Sequence, residues 1–435
     1  MLKVEEGILL RLEEEHAGVQ EWAVQLGEET CRARHELDWM PVPLEPGDRV
    51  WLNTTAVRLK LGTGGLHFVV GLAGKSHDDP SNSITATATS TNTTTTASSN
   101  EVPAHAVSSD KLIGSMCENQ TSSNAQVLSK GHMMKLRYTP FQRSVLSVEE
   151  AESRAHELFL NELKLEQMPV LIGELHSMLP VAAAWLYQQQ IYREPLVERE
   201  VRGNREHREH PENKRRLRVC YLMSDGGALP LSFSRHVRQL KKLGWIDQTI
   251  TYGHAYGGDY EAMNKYTALI AGKWVSGADI SLVMMGPGIA GTGTQLGHSG
   301  MEVSELINAT SKLGGIPVVI PRISFADRRS RHQGLSHHLL TTLRYASERA
   351  ILPLPADLPH EQRLQIRQQV EDAGLAQHHA IEWMETISLS SVSQAMQRYG
   401  SPLTTMGRGL DEEPAFFLGV CAASQYAWLR SGQLS

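Results

Sequence analysis

The first 75 residues alternate apolar and polar positions within short segments. The segments are GILLRLEE, VQEWAVQL, TCRAR, DRVWLNTTAV and HFVVGL, and the turn sequences EPGD (45–48) and GTGG (62–65) separate the later ones. Short strands at close, regular spacing are typical of a small barrel or sandwich. We therefore expect residues 1–75 to form a small N-terminal β-barrel or sandwich domain.

From about residue 165 onward, longer apolar runs alternate with helical patterns. The runs are PVLIGEL, RVCYLMSD, QTITYGH, DISLVMMG, IPVVIPR and AILPLP. The helical patterns begin near Pro180, Pro230, Gly258, Gly300, Leu335 and Pro359. Val- and Ile-rich strands separated by single helices are typical of a parallel sheet with helices on both faces. We therefore expect residues 131–435 to form an α/β domain with a doubly wound, mostly parallel sheet, and a (β/α) barrel is the alternative.

Two stretches interrupt these patterns. Residues 76–130 include SNSITATATSTNTTTTASSN, which is made almost entirely of Ser, Thr, Asn and Ala. Such a composition buries too little apolar surface to offset the entropy lost on folding, so we expect a disordered linker or loop insertion. A charged insertion near 195–217, which overlaps VRGNREHREHPENKRRLR (201–218), is expected to form a solvated loop.

Five polar, glycine-rich segments directly follow predicted strands. They are ELHSMLP, SDGGALP, GHAYGGDYEAMN, GPGIAGTGTQLGHSG and RISFADRRSRHQGLSHH. In open α/β sheets, ligands bind in the crevice beyond the carboxyl ends of the strands. We therefore expect these five loops to gather at one rim and to contain the active centre.

The fourth of these loops superficially matches a dinucleotide-binding motif. Gly286, Gly288 and Gly291 follow the spacing G-x-G-x-x-G. A dinucleotide site also needs a helix that opens within the motif, and here the helical pattern begins only near Gly300. The next strand ends in Arg322 instead of the acidic residue that would hold a ribose. The motif therefore does not indicate a nicotinamide or flavin cofactor, and no other pattern in the chain assigns a cofactor.

The same loop nevertheless offers an anion site. Backbone N–H groups and two hydroxyls are available in the run Gly291, Thr292, Gly293 and Thr294. Successive N–H groups of this kind form nests for phosphate or carboxylate groups. The alternative is that these glycines serve only tight turns.

Three residues of the strand-end loops are candidates for acid–base catalysis. Asp225, in SDGGALP, is a candidate general base or metal ligand, and its alternative role is to cap a helix or turn. His254, flanked by glycines, and His298 are candidate proton carriers. His176 and Asp259 are candidate ligand-binding residues, with Asp259 alternatively the N-cap of the following helix.

The last loop has the highest density of charged and titratable side chains. Arg322, Asp327 and His337 are its candidate ligand-binding residues, among further arginines and histidines. Ser336 is placed to cap the next helix, whose positive first turn would keep its histidines neutral. Neighbouring helical residues point about 100° apart, so we expect His337 and His338 not to bind the same metal ion. A metal site built from distant His and Asp residues remains an alternative.

Two further segments carry candidate site residues. Lys135 and Arg137 lie two positions apart, so in an extended strand they would share a face and could bind a phosphate or carboxylate. The alternative interpretation is that both residues belong to a solvated edge strand and bind no ligand. The segment TTMGRGLDEEPAFF (404–417), with Arg408 and Asp411, is a candidate to close over the rim.

Composition narrows the class of protein only slightly. The net charge of −6 gives no global attraction to nucleic acid or anionic membranes. The four cysteines are scattered without CxxC spacing, which fits a reducing compartment. The chain also lacks a signal-peptide pattern and an apolar run long enough to span a bilayer. We therefore expect a cytoplasmic protein without membrane contact, and a homo-oligomer is left open.

Six motifs in sequence order resemble those of an uncharacterised bacterial family, the domain of unknown function 3866. They are LNTTAVRLKLGTGGLHFVV, GHMMKLRYTP, SDGGALPL, GHAYGGDYEA, MGPGIAGTGTQLGHSG and RISFADRRSRHQGLSHH. The resemblance covers residues 1–75 and 130 to near the C-terminus. It implies no activity or catalytic residue, but its motifs coincide with the loops selected above.

The sequence supports two functional hypotheses. The first is an enzyme acting on a small anionic metabolite, with Asp225, His254 or His298 as acid–base groups. Under the second, the protein is a ligand-sensing or regulatory module without catalysis. A purely structural role fits less well, because a scaffold has no need to concentrate His, Asp, Arg and Gly at one sheet edge.

Overall fold

The computed structural model of the chain describes residues 3–16, 18–37, 40–58, 65–73, 131–137, 141, 143–193, 216–385 and 387–432. The chain divides into two compact units, residues 1–126 and 127–435. The predicted linker at 76–130 and nearly all of the charged insertion near 195–217 lie outside the described residues. Within the described residues, no helix has the length and apolar character needed to cross a bilayer.

The first unit is a closed five-stranded barrel, which confirms the predicted barrel. Its strands are β1 (Val4–His16), β2 (Val19–Leu26), β3 (Glu29–Glu36), β4 (Arg49–Asn53) and β5 (Leu66–Leu72), with a short helix α1 (Thr55–Arg58). They close in the order β1-β2-β3-β5-β4, and β3 and β5 run parallel. Alternate residues point inward, so that Trp22, Val24 and Leu52 fill the barrel interior.

The second unit is built on an eight-stranded sheet. Its strands are β8 (Pro169–Gly173), β9 (Val219–Ser224), β10 (Gln248–Tyr252), β11 (Tyr260–Ala262), β12 (Ile280–Met285), β13 (Ile316–Val319), β16 (Ile351–Pro355) and β17 (Ala380–Met384). They lie in the order β11-β10-β9-β12-β8-β13-β16-β17, and all neighbours are parallel. All six predicted apolar runs are strands of this sheet, so the fold-class prediction is confirmed. Two small antiparallel pairs join β6 (Met133–Lys135) to β7 (Arg143–Val145) and β14 (Ile323–Ser324) to β15 (Gly334–Leu335).

Helices connect the strands and pack in two separate groups against the sheet. The α-helices of the second unit are α2 (His156–Phe159), α3 (Met178–Arg193), α4 (Arg235–Lys242), α5 (Lys265–Trp274), α6 (Glu302–Lys312), α7 (His337–Tyr345), α8 (His360–Asp372), α9 (Leu389–Gln397) and α10 (Pro414–Ser431). Short 3₁₀ turns occupy Leu231–Phe233, Ser299–Met301, Ser330–His332 and Leu375–Gln377. Helices α3, α4, α9 and α10 form one group, and α5, α6 and α7 form the other.

The connections reverse direction at the centre of the sheet. Every residue of β8, β9 and β12 is buried, as expected for strands covered on both faces. The chain leaves β8 toward α3, in the first helix group, whereas it leaves β12 and β13 toward α6 and α7, in the second. Because β8 lies between β12 and β13, the three carboxyl ends form a switch point, where α/β proteins have their binding crevice.

Candidate functional site

The loops after β9 and β12 approach so closely that glycine is required at the contact. A Cβ at Gly227 would overlap the carbonyl oxygen of Gly286, and one at Gly286 would overlap that of Ala228. The backbone N–H of Ala228 donates to the carbonyl of Pro287 at 3.0 Å. Gly227 and Gly286 therefore allow the two loops to pack closely at the rim.

At the switch point, four imidazole rings lie beside a buried carboxylate, and we call these five residues the histidine cluster. The members are Glu174, His298, His332, His337 and His338. The rings of His298 and His338 stack at 3.8 Å with an angle of 5° between their planes. The ring centroids of His332 and His337 lie 4.9 Å apart, and those of His337 and His338 lie 4.3 Å apart.

The cluster is assembled from three strand-end loops. Glu174 directly follows β8, and His298 ends the glycine-rich loop after β12. The other three histidines belong to the last loop and to the first turn of α7. As predicted, Ser336 caps this helix, because its hydroxyl oxygen accepts a hydrogen bond from the backbone N–H of His338.

The expectation that the side chains of His337 and His338 diverge too far to bind one metal ion does not match their geometry. One potential ligand atom from each, and one from His332, lie within 4.8 Å of one another. Both residues occupy the first helical turn, where rotation about the side-chain bonds brings the rings together even though the Cβ atoms diverge. The 100° divergence of neighbouring helical residues therefore applies to their Cβ atoms and not to the ring nitrogens of His337 and His338.

Arg322 provides a buried positive charge beside the cluster. Its guanidinium Nη1 donates to Glu174 Oε1 at 3.0 Å and lies 3.3 Å from His338 Nδ1. Glu174 is only 4% exposed and Arg322 only 5%. Burial raises the pKa of the Glu174 carboxyl, and the charge of Arg322 offsets part of that rise. Removing either partner would leave the other charge buried and uncompensated.

All four imidazoles of the cluster are held neutral near pH 7. Burial is the main cause, and it lowers the pKa of His332 to about 3 and that of His338 to about 2. The pKa values of His298 and His337 are also lowered by burial, and the charge of Arg322 lowers all four further. Neutral rings have a free lone pair, so they can accept a proton or bind a metal ion.

The glycine-rich loop is attached to this cluster. Gly291 pairs with His298 in an isolated β-bridge, and Gly293 has a φ of 81°, a conformation that favours glycine. The hydroxyls of Thr292 and Thr294 lie 2.9 Å apart. A Cβ at Gly293 would lie 3.7 Å from Nη1 of Arg331, so the guanidinium of Arg331 lies close to the predicted anion site.

A sequence model of one protein family matches residues 38–424, and the family is described as "Protein of unknown function (DUF3866)". The chain belongs to this family. The match leaves out residues 1–37, which the resemblance had included. No curated protein matches the chain, and no solved structure does. The description of DUF3866 specifies no ligand or reaction.

In this DUF3866 protein, two of the three predicted catalytic residues lie together. The backbone N–H of His254 donates to Asp225 Oδ2 at 3.0 Å, and His254 Nδ1 accepts the N–H of Leu136 at 3.1 Å. Asp225 therefore contacts the backbone of His254 and does not orient its ring. The third residue, His298, belongs to the histidine cluster.

His176 is bonded on both sides by protein groups. Its Nδ1 lies 3.1 Å from the carbonyl oxygen of Met285, and its Nε2 lies 2.6 Å from the hydroxyl of Ser234. Burial lowers its pKa to about 3, so the ring is neutral. Through these contacts, the ring of His176 holds the loop after β8 against neighbouring elements.

The two predicted ligand-binding aspartates also have internal partners. Asp259 Oδ2 accepts the backbone N–H of Thr249 at 2.8 Å, and the N-cap of α5 is Asn264, so the alternative of an Asp259 cap is wrong. Asp327 pairs with Arg329 through two hydrogen bonds, which hold the pKa of Asp327 well below its usual range.

Lys135 and Arg137 do not share a face. Strand β6 ends at Lys135, and the next residue, Leu136, has a φ of 49° that breaks the extended conformation. Lys135 is fully buried, with Nζ 3.2 Å from Glu261 Oε2 and 2.9 Å from the carbonyl oxygen of Gly253. Arg137 is exposed. The predicted paired cation site is therefore wrong, and so is the solvated edge strand for Lys135.

The C-terminal segment contacts the rim loops, in line with the sequence-based expectation. Ser177, after β8, donates a hydrogen bond to Thr405 at 3.2 Å. Glu413 is 1% exposed and accepts the backbone N–H of Phe325, after β13, at 2.9 Å. Arg408 holds Glu413 through a hydrogen bond of 3.1 Å. Asp411 is exposed.

Sequence reasoning did not select four residues of this site, namely Glu174, Arg331, His332 and His338. Their signals are present in the chain. Glu174 is the first residue after a fully apolar strand, and the run RHQGLSHH places three histidines around one predicted helix start. Combining both signals with the order of strands would have pointed to the cluster.

Proposed function

We propose that this protein is an enzyme that acts on a small anionic substrate, bound at the switch point of the second unit. The observation that carries the proposal is the histidine cluster, in which four neutral imidazoles lie beside a buried carboxylate. Titratable groups with strongly shifted pKa values in a crevice are common in the active sites of enzymes that use acid–base catalysis. His298 is the proposed proton carrier.

The charges around the cluster support an anionic substrate. Besides burial, the charges of Arg331, Arg322 and Arg329 lower the pKa of His337, so three positive charges act on this ring. Glu174 is the acidic member of the cluster, and one of its oxygens already accepts from Arg322. A positive potential within a crevice concentrates anions there. In the glycine-rich loop beside Arg331, the N–H of Thr292 already donates to the carbonyl of Gly297 at 2.7 Å, so the proposed donors to a phosphate or carboxylate are the N–H groups of Gly293 and Thr294.

Anion binding can be tested with inorganic phosphate as the probe. We expect phosphate to raise the Tm of the full chain, and we expect Arg331→Ala to lose most of that rise. Arg344→Ala is the matched control, because Arg344 is an exposed arginine at the opposite end of α7. An equal Tm response in both variants would remove the proposed anion site.

Catalysis is tested by screening phosphate- and carboxylate-bearing metabolites for turnover. We expect His298→Ala to lose at least about 100-fold in kcat, since a general acid–base group contributes roughly that much or more. Binding should persist in that variant. Anion binding without turnover of any compound by the parent would favour a ligand-sensing module over an enzyme.

We also propose a cytoplasmic location. Support comes from the cysteines, because Cys31, Cys220 and Cys421 are free thiols in the described part of the chain. Free thiols of this kind persist in reducing compartments.

A further inference from the structure

The geometry of the histidine cluster points to a binding site for one divalent transition-metal ion of the zinc class, with His332, His337 and His338 as ligands. This inference goes beyond the proposed function, because the ion can bind whether or not a substrate is turned over. A role for the ion in turnover would rest on the proposed function.

The three imidazole rings have the spacing that a shared ion requires. Their centroids are 4.9, 5.2 and 4.3 Å apart, and the ring planes are inclined to one another by 48°, 86° and 65°. Rings bound to one tetrahedral ion at about 2.1 Å from nitrogen have centroids about 5 Å apart. Stacked rings would direct their lone pairs side by side, whereas inclined rings can direct them to one point.

One of the three ligands is already oriented by a second partner. His332 Nδ1 lies 2.9 Å from the hydroxyl oxygen of Ser336, which leaves Nε2 as the nitrogen available to an ion. Ser336 also accepts the backbone N–H of His338, so a single residue positions two members of the site. Metal-binding histidines normally have such an outer partner, which fixes the ring orientation and the tautomer.

Unpartnered polar atoms provide independent support. Within the described residues, Nε2 of His337 and Oε2 of Glu174 have no hydrogen-bond partner, although both atoms are buried. Buried polar atoms without partners are costly, and an ion at the cluster would satisfy them.

Glu174 supplies the negative charge that such a site needs. Glu174, His298 and His338 form a second set of potential ligand atoms that lie within 4.8 Å of one another. Arg322 occupies only Oε1, so Oε2 remains available to the ion or to a water bound to it. The carboxylate also offsets the charge of Arg322, with which it forms an ion pair, so that this charge does not repel a cation.

The donor set determines the class of ion. Imidazole nitrogens suit zinc, cobalt, nickel and copper, whereas magnesium and calcium prefer oxygen ligands. Three histidines leave a fourth position for a water or an anionic substrate, as in catalytic zinc sites. Such an ion lowers the pKa of a bound water and so generates a nucleophile near neutral pH.

The test uses the full chain without a histidine tag. The protein is stripped with a chelator, incubated with Zn²⁺, desalted and analysed for metal by mass spectrometry. We expect about one equivalent of zinc in the parent and less than about 0.2 in His337→Ala and His338→Ala. The control is His132→Ala, because His132 is 80% exposed in another group of His and Glu side chains and should leave the zinc content unchanged.

A second measurement separates loss of ligand from loss of fold. Far-UV circular dichroism identifies the folded variants, and the visible spectrum of the Co²⁺ form reports tetrahedral nitrogen ligation in the parent. If His338→Ala does not fold, His337→Ala decides, since His337 is only partly buried at the first position of α7.

Two results would overturn the metal site. One is a parent that retains less than about 0.2 equivalents of zinc, and the other is folded variants that retain as much as the parent. Turnover by a parent that binds no zinc would remove this inference and leave the proposed function intact. Zinc binding by a parent that neither turns over any compound nor binds phosphate would leave this inference intact and remove the proposed function.

Discussion

At the scale of single residues, the contact between the loops after β9 and β12 determines where a side chain is tolerated. Gly286 and Gly291 belong to the same loop, and neither has a positive φ. A Cβ at Gly286 would overlap a carbonyl oxygen, whereas the nearest atom to a Cβ at Gly291 is 3.5 Å away. Two glycines of one loop therefore face different steric demands.

This difference predicts opposite outcomes for two matched variants. Gly286→Ala should lower the free energy of unfolding by about 1–3 kcal/mol, because the two loop backbones must move apart. Gly291→Ala should change it by less than about 0.5 kcal/mol. Urea unfolding of both variants measures the difference. A tolerated alanine at position 286 would mean that the two loops are not held in contact.

A buried histidine outside the cluster links stability to pH. His379 is 2% exposed, its Nδ1 accepts the N–H of Ala350 at 3.1 Å, and its Nε2 donates to the carbonyl of Leu343 at 2.9 Å. This pattern requires the neutral ring. Burial lowers the pKa of His379 below its ordinary value of 6.5.

Acidification should therefore weaken the folded state through His379. Below pH 6.5 the unfolded chain takes up a proton that the folded chain does not, so the free energy of unfolding decreases as the pH decreases. We expect His379→Gln to reduce this dependence between pH 7 and pH 5 in urea titrations. His378→Ala, at the exposed neighbouring position, should keep the parent's dependence. Identical pH profiles for the parent and His379→Gln would contradict the assignment.

At the scale of elements, the loop after β13 is held from two sides. On one side, α7 begins in the histidine cluster. On the other side, Glu413, directly before α10, accepts hydrogen bonds from Ser324, Phe325 and Arg408. The C-terminal helix therefore contributes to the position of a loop that carries site residues, although it provides no member of the cluster.

Removing this carboxylate should loosen the loop. Glu413→Ala leaves the buried hydroxyl of Ser324, the N–H of Phe325 and Arg408 without this acceptor, so we expect a loss of about 2–4 kcal/mol in the free energy of unfolding. Glu413→Gln keeps one acceptor oxygen and should lose less. Asp411→Ala, at an exposed position in the same segment, should stay within about 0.5 kcal/mol of the parent. Chemical unfolding compares the three variants, and equal stabilities would refute the anchoring role.

At the scale of the whole molecule, the two units have separate hydrophobic cores. The barrel core includes Leu9 and Trp22, and the core of the second unit includes Leu171 and Phe417. Among the residues that the structure describes, none belongs to both cores. A unit with its own core can in principle fold alone.

We therefore predict that residues 131–435 fold without the barrel. The fragment should show the far-UV circular dichroism of an α/β protein and a single cooperative transition in urea. A fragment that aggregates, or that unfolds without cooperativity, would show that the second unit depends on the first.

The sequence predicted the sheet well because its strands are buried on both faces and therefore form uninterrupted apolar runs. Strand β17 was missed because AIEWM at the edge of the sheet mixes polar and apolar residues, and most of it is only partly buried. Helix α10 was missed because it is apolar on all sides and lacks amphipathic periodicity.

The histidine cluster could be predicted only in part. The parallel arrangement implied that His298 and His337 would lie at the same rim. The 3.8 Å stacking of His298 on His338 depends on which strands become neighbours and on side-chain rotation, and no local pattern encodes either. The position of Glu174 follows from β8 lying between β12 and β13, which is a property of strand order.

That strand order has a consequence for biosynthesis. Strand β8 is the first of the eight to leave the ribosome, yet β12 begins 107 residues after it ends and β13 begins 143 residues after it ends. At translation rates of about 5–20 residues per second, this apolar segment waits roughly 5–20 seconds for a pairing partner. Nascent chains paused before β12 should therefore be the species most prone to aggregate, and the ones that a chaperone binds.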